Sequence, residues 1–211
     1  MLTELGDTVP AIAIDRPGYD GVSEPGGIAH SAQAALRRLD SDGIERATIV
    51  GFSYGGAVAA WLGADHPERV KALILVSAAA NTAALKPIDQ VLAAPLIGPV
   101  ISAVLVAGAQ VVVRSPPLLG RAARRAFLVE QREMLRELPI LEQKLSAIEA
   151  PTIVVIGTAD TVVPPQAGRL LATQIPRAEL VEIERAGHTL PSTHAVRISE
   201  LIRKSRAVSV T

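Results

Sequence analysis

The sequence predicts an α/β protein: a mostly parallel sheet with helices on both faces. Three observations predict it. Strand-like and helical patterns alternate along most of the chain. Two of the strand-like runs, residues 70–76 and 152–156, are almost continuously apolar, as strands covered on both faces are. Hydrophobic residues make up 49% of the 211, enough for one sizeable core.

Taken in order, residues 9–14 form a short apolar run that ends in Asp15-Arg16-Pro17-Gly18-Tyr19. It reads as a buried strand stopped by a turn, because proline and glycine both interrupt pairing. Residues 28–39 have helical spacing, with Ala32, Ala35, Leu36 and Leu39 on one side. Residues 47–50 read as a second strand and residues 55–64 as a helix of small residues. The strand at 70–76 follows. After the strand at 152–156 come a helix at 166–174, a strand at 179–183 and a helix at 192–204.

Residues 80–147 break this rhythm. Residues 90–113 carry no charge over 24 positions, which on length alone would span a membrane. Pro95, Gly98, Pro99 and Gly108 interrupt the run, and a span there would split the sheet. The segment is therefore read as an inserted apolar helical cap, with no membrane span. Residues 114–136 read as a basic helical region carrying Arg121, Arg124, Arg125, Arg132 and Arg136. Its ordinary role is a solvated face, and its sharper role is contact with an anionic substrate or a membrane surface. The expected organisation is a first core part at 1–79, a cap at 80–147 and a second core part at 148–211.

Composition excludes several classes of function. Twenty-one basic and 21 acidic residues leave no net charge and no broad nucleic-acid footprint. The absence of cysteine removes disulfides, thiolate metal sites and a cysteine nucleophile together. Aromatic residues at 2% do not furnish stacking platforms for bases. The first ten residues lack a basic region followed by an apolar run, so the protein is read as cytoplasmic by default. Arginine in excess over lysine and abundant alanine hint at a bacterial gene.

The chemistry is expected around Gly51-Phe52-Ser53-Tyr54-Gly55-Gly56, between an apolar strand and a helix. A serine at the tip of a sharp strand-to-helix turn needs small neighbours, which Gly51 and Gly55 are expected to supply. The helix that follows aims its first amides at developing negative charge. Serine alone is a poor nucleophile and needs a base and an orienting acid. Of the four histidines, His30 opens a helix, His66 ends one and His194 lies in the last helix. His188 sits in a loop just after a strand, where open α/β sheets place their sites, and is the preferred base. Asp160 follows the strand at 152–156 through Gly157-Thr158-Ala159 and is the preferred acid, though an aspartate there also suits a turn bonded to its own backbone. Asp15 and Asp89 are weaker rivals.

These pieces together resemble the α/β-hydrolase superfamily, in its serine branch. The matching residues are Asp15-Arg16-Pro17-Gly18-Tyr19, the elbow at 51–56, His66-Pro67-Glu68-Arg69-Val70, Gly157-Thr158-Ala159-Asp160 with Val163-Pro164, and Ala186-Gly187-His188. They span the chain from about residue 10 to its end, apart from the cap. The resemblance implies an α/β-hydrolase-type sheet, Ser53 as nucleophile, Asp160 as orienting acid and His188 as base. It implies the backbone N–H of Tyr54 as an oxyanion donor, Phe52 as a substrate-pocket residue, and no metal or organic cofactor. Serine at 53 separates the chain from branches of the fold that use aspartate there.

The chain also departs from the family pattern. Three strands normally precede the Asp-Arg-Pro-Gly strand, and the third supplies a second oxyanion amide from a His-Gly loop. Only about ten residues stand there, and none reads His-Gly. The expectation is either that the strands ending near Asp15 and Val50 close up or, preferred, that the chain is an amino-terminal truncation. Asp20 stands where the family has glycine, and Gly21 is expected to take the turn. The functional expectation is a hydrolase of ester-type, hydrophobic small molecules working through an acyl-enzyme, with no nucleic-acid partner and with room for a homo-oligomer. The alternatives are a noncatalytic remnant or interaction module, and an acyltransferase or perhydrolase on the same triad. A peptidase ranks lower, because a cap with Asp89 as its one acid over residues 80–126 has little to hold a substrate amine.

Overall fold

The computed structural model describes residues 2–6, 9–95, 98, 100–101 and 121–208. Among them, β1 (Ala47–Phe52), β2 (Val70–Val76), β3 (Thr152–Gly157) and β4 (Ala178–Ile183) form one parallel sheet in the order β1-β2-β3-β4. The described helices are α1 (Leu2–Leu5), α2 (Ile28–Ser41), α3 (Tyr54–Asp65), α4 (Pro87–Ala93), α5 (Arg121–Lys144), α6 (Pro165–Gln174), α7 (Leu190–Thr193) and α8 (Ala195–Val208).

The continuous apolar runs are explained by the two faces of the sheet. Alternate strand residues point to opposite sides. Leu73, Leu75, Val154 and Ile156 enter one core with α2, α3, α5 and α6. Their neighbours Ile74, Val76, Ile153 and Val155 enter a second core with Leu5 and with Ile198, Leu201 and Ile202 of α8. The α3 helix is apolar all round because it is buried nearly all round, from Tyr54 to Gly63. The N-terminus of α2 follows Gly27, which has no capping side chain. Glu137 of α5 fills that role by accepting the Ile28 N–H.

Residues 9–14 correct the sequence reading. They are not a buried strand: residues 10–14 are exposed, with Ile12 at 45% and Ile14 at 37%. Nor do they close up against β1. A cavity of about 720 Å³ has residues 9–16 on one side and Ala47–Phe52 on the other. Apolar pattern reports what a side chain prefers. A strand also needs a backbone partner, and across this cavity there is none within reach. β1 is therefore an edge of the described sheet.

The last predicted helix is two, broken at His194, whose φ of −131° is not helical. The uncharged run at 90–113 lies partly outside the described residues. Among those described, no helix is long and apolar enough to cross a membrane. The described arginines of the basic region are largely engaged: Arg125 pairs with Glu24, Arg136 with Glu133, and Arg132 donates to the Ala93 carbonyl.

Candidate active site

The parallel strands all end on one edge, and the site is built there. β1 ends at Phe52, and the next residue, Ser53, turns the chain into α3 with φ 52° and ψ −121°. That left-handed backbone is strained for any residue but glycine. It is held by the Ser53 N–H donating to Val76 O at 3.0 Å and the Ala79 N–H donating to Ser53 O at 3.0 Å. Gly51 is needed for this turn, since a Cβ there would stand 2.7 Å from Gly56 Cα. Gly55, by contrast, faces open space; the second crowded position is Gly56, where a Cβ would meet Ala78 Cα at 2.8 Å.

Asp160 follows β3, and His188 follows β4. The two loops are bonded to one another: the Thr158 N–H donates to Ile183 O and the Ala159 N–H to Ala186 O, at 3.0 and 2.9 Å. Asp160 is buried at 6% exposure and does two things at once. Its Oδ1 accepts the Val162 and Val163 N–H groups at 2.8 and 3.0 Å, closing a turn on its own backbone. Its Oδ2 lies 2.8 Å from His188 Nδ1. His188 Nε2 in turn lies 3.1 Å from Ser53 Oγ. A carboxylate opposite Nδ1 holds the proton there, leaving Nε2 free to accept from a hydroxyl. Such a chain can draw a proton from serine and return it to a leaving group.

The other expected residues are placed as follows. Tyr54 is the first residue of α3, so its N–H is among the amides without an intrahelical acceptor. The Phe52 ring lies against the His188 imidazole, with centroids 5.0 Å apart. His30 is exposed, His194 contacts Thr193, and His66 sits at the far end of α3 near Glu68. Asp89 caps α4 by accepting the Lys86 N–H at 2.6 Å, and Asp15 is exposed beside the cavity. Asp20 closes a turn by accepting the Val22 and Ser23 N–H groups. Hydrogen bonding, led by the Ser23 hydroxyl, lowers its pKa to about 2. Gly21 beside it takes the left-handed turn, with φ 77°. Among the described residues, no cluster of three or more histidine, aspartate or glutamate side chains could hold a metal.

Sequence reasoning missed a partly buried cluster beside Tyr54 of the elbow. Arg16 binds Glu130 of α5 through Nε at 2.6 Å and Nη2 at 3.1 Å, and the Tyr19 hydroxyl donates to the same carboxylate at 2.9 Å. The Arg16 guanidinium lies over the rings of Tyr19 and Tyr54, at 4.8 and 5.1 Å. Burial, with Glu130 nearby, pushes both tyrosine hydroxyls well above their usual range. No spacing in the sequence links residue 16 to residue 130, so only the fold reveals the clamp.

The comparisons agree with this architecture. The family model described as the alpha/beta hydrolase family matches residues 1–201. Pimeloyl-[acyl-carrier protein] methyl ester esterase from Neisseria meningitidis is 28% identical over 223 residues, covering 96% of this chain and 85% of that protein. The 2-hydroxymuconate semialdehyde hydrolase of a Pseudomonas strain is 26% identical over 225 residues, covering 96% of this chain and 78% of that protein. The solved enol-lactonase from Burkholderia xenovorans superposes with a TM-score of 0.71 at 23% identity, over 92% of this chain and 79% of its own, a likeness of fold.

Proposed function

The chain belongs to the alpha/beta hydrolase family, and from that premise we propose that it is a serine hydrolase of carboxylic esters with a hydrophobic portion. The observation that carries the reading is the unbroken hydrogen-bond chain from Ser53 Oγ through His188 to Asp160. Esterases and hydrolases among the relatives support the reaction class.

In this reading Ser53 Oγ attacks the ester carbonyl while His188 Nε2 takes its proton. Asp160 holds the imidazole in the required tautomer and stabilises the imidazolium. The Tyr54 N–H donates to the oxyanion. His188 returns the proton to the departing alcohol, leaving an acyl group on Ser53. Water, deprotonated by His188, then releases the acid. In the same reading the described helices α4 and α5 belong to a cap, and Phe52 is a substrate-pocket residue.

The test is labelling with a fluorophosphonate probe read by intact mass, with Ser53→Ala alongside. A single adduct that the substitution abolishes is expected. A folded wild-type protein that takes no adduct overturns the reading and leaves a noncatalytic member of the family.

A further inference from the structure

We infer that Phe52 is a positioning residue for His188, an assignment that rests on the serine-hydrolase reading of the site. The imidazole is tied at its two nitrogens, Nδ1 to Asp160 Oδ2 at 2.8 Å and Nε2 to Ser53 Oγ at 3.1 Å. Both bonds lie close to the line through the nitrogens and leave the ring free to rock about it. The Phe52 ring supplies a restraint off that line. Its centroid lies 5.0 Å from that of His188, with the planes 41° apart, a tilted ring contact.

Three further facts point the same way. Phe52 is 37% exposed and belongs to neither main core cluster, so packing of the fold does not account for it. It is one of two phenylalanines in a chain with 2% aromatic residues, and the core is built without it. It directly precedes Ser53, so one stretch of backbone carries both the nucleophile and the surface against which the base leans. When Nε2 takes the serine proton the imidazole becomes a cation, and a cation within about 6 Å of an aromatic centroid is attracted to its ring. The contact thus favours the charged base formed during attack, as well as its orientation.

The assignment differs from substrate binding in what it predicts. Kinetics of p-nitrophenyl acetate hydrolysis, with a small acyl group that asks little of a pocket, are measured for wild type, Phe52→Ala, Phe52→Leu and Phe52→Tyr. Misplacing a reacting group by about 1 Å costs up to about 100-fold, so Phe52→Leu and Phe52→Ala should lose about 10- to 100-fold in kcat with KM changed by less than about twofold. Phe52→Tyr, which keeps the ring, should recover kcat to within about threefold of wild type. Phe52→Leu keeps the bulk and carries the test if Phe52→Ala does not fold. A downfield proton signal from His188 Nδ1–H, sharp in wild type and broadened in Phe52→Leu, would support the same conclusion. Wild-type kcat in Phe52→Leu, or a loss confined to KM, overturns the assignment. Fluorophosphonate labelling separates the two failures. A wild type that is labelled, with Phe52→Leu labelled equally fast, sinks the role of Phe52 alone. A wild type that is not labelled sinks the serine-hydrolase reading and this assignment with it.

Discussion

Gly157 and Ala186 meet where the loops carrying Asp160 and His188 cross: a Cβ on Gly157 would stand 2.8 Å from the Ala186 carbonyl carbon and 2.8 Å from Gly187 O. Both obstacles are backbone, so neither can swing aside. Gly157→Ala must push the two loops apart. The expected outcome is a loss of about 1–3 kcal/mol in stability from overpacking and a fall of about 100-fold in kcat from the displaced acid and base. Thermal unfolding and ester hydrolysis check it; an unchanged kcat would show that the loops do not set the site.

Asp160 offers a cleaner separation of structure from chemistry. Asn at this position keeps an oxygen for the Val162 and Val163 amides, so the turn survives. It cannot hold His188 in the tautomer that accepts from Ser53. Asp160→Asn should unfold within a few degrees of wild type, roughly a 1 kcal/mol effect, while kcat falls by about 10⁴-fold, as expected of an orienting acid. Equal loss of stability and activity would count against the assignment.

The segment leaving β2 and the end of α5 are fastened by Glu142. It accepts the Thr82 hydroxyl at 2.5 Å, the Thr82 N–H at 3.1 Å and a Gln174 Nε2–H at 2.6 Å, while Asn81 Nδ2 donates to Gln174 Oε1 at 2.9 Å. Burial alone would raise the Glu142 pKa, but the hydrogen bonds it accepts, led by the Thr82 hydroxyl, outweigh it and the net shift is downward from the ordinary 4.5. A carboxylate lowered in the folded state stabilises above its unfolded pKa, and that contribution is lost as pH falls through the folded value. Glu142→Gln should therefore melt about 2–4 °C below wild type at neutral pH, the equivalent of about 1 kcal/mol. The gap should close as the pH drops below 4.5. A gap that is constant with pH would mean that the charge of Glu142 is not what fastens the two segments.

Ser53 holds φ 52°, where a Cβ is unwelcome. Strain of this kind costs about 1–3 kcal/mol. Ser53→Gly should remove it and raise the melting temperature by about 2–4 °C, whereas Ser53→Ala, which keeps the Cβ, should leave it nearly unchanged. Both variants lose hydrolysis. Equal melting temperatures for the two would show that the turn is not strained.

The fold was legible wherever burial leaves a period in the letters. Residues 70–76 form β2 at the expected ends because both faces of that strand are covered by apolar cores. Residues 9–14 carry a similar pattern and form no strand, because pattern does not reveal whether a neighbouring backbone is within pairing distance. At the site, Ser53, Asp160 and His188 were legible as candidates because each follows a strand-like run at short range, and the structure brings them together. The glycine expected to be crowded was Gly55, but Gly56 is the one in contact, since crowding by Ala78 depends on the segment that leaves β2. The ring of Phe52 on His188 and the pairing of Arg16 with Glu130 join residues more than a hundred positions apart, and no local spacing encodes them.

The strand order β1-β2-β3-β4 copies the order of the chain. The pairs β1–β2 and β3–β4 each close around a single helix, α3 or α6, and can form from nearby residues. The joint between β2 and β3 alone must wait for residues 77–151 to bring Val76 beside Val155, and closing a long excursion carries an entropic delay. Ser53 belongs to the first half-sheet, and Asp160 and His188 to the second. Hydrolysis is thus a clock for the last joint. During refolding, helix and strand signals should recover first, and turnover should return only when the halves have met.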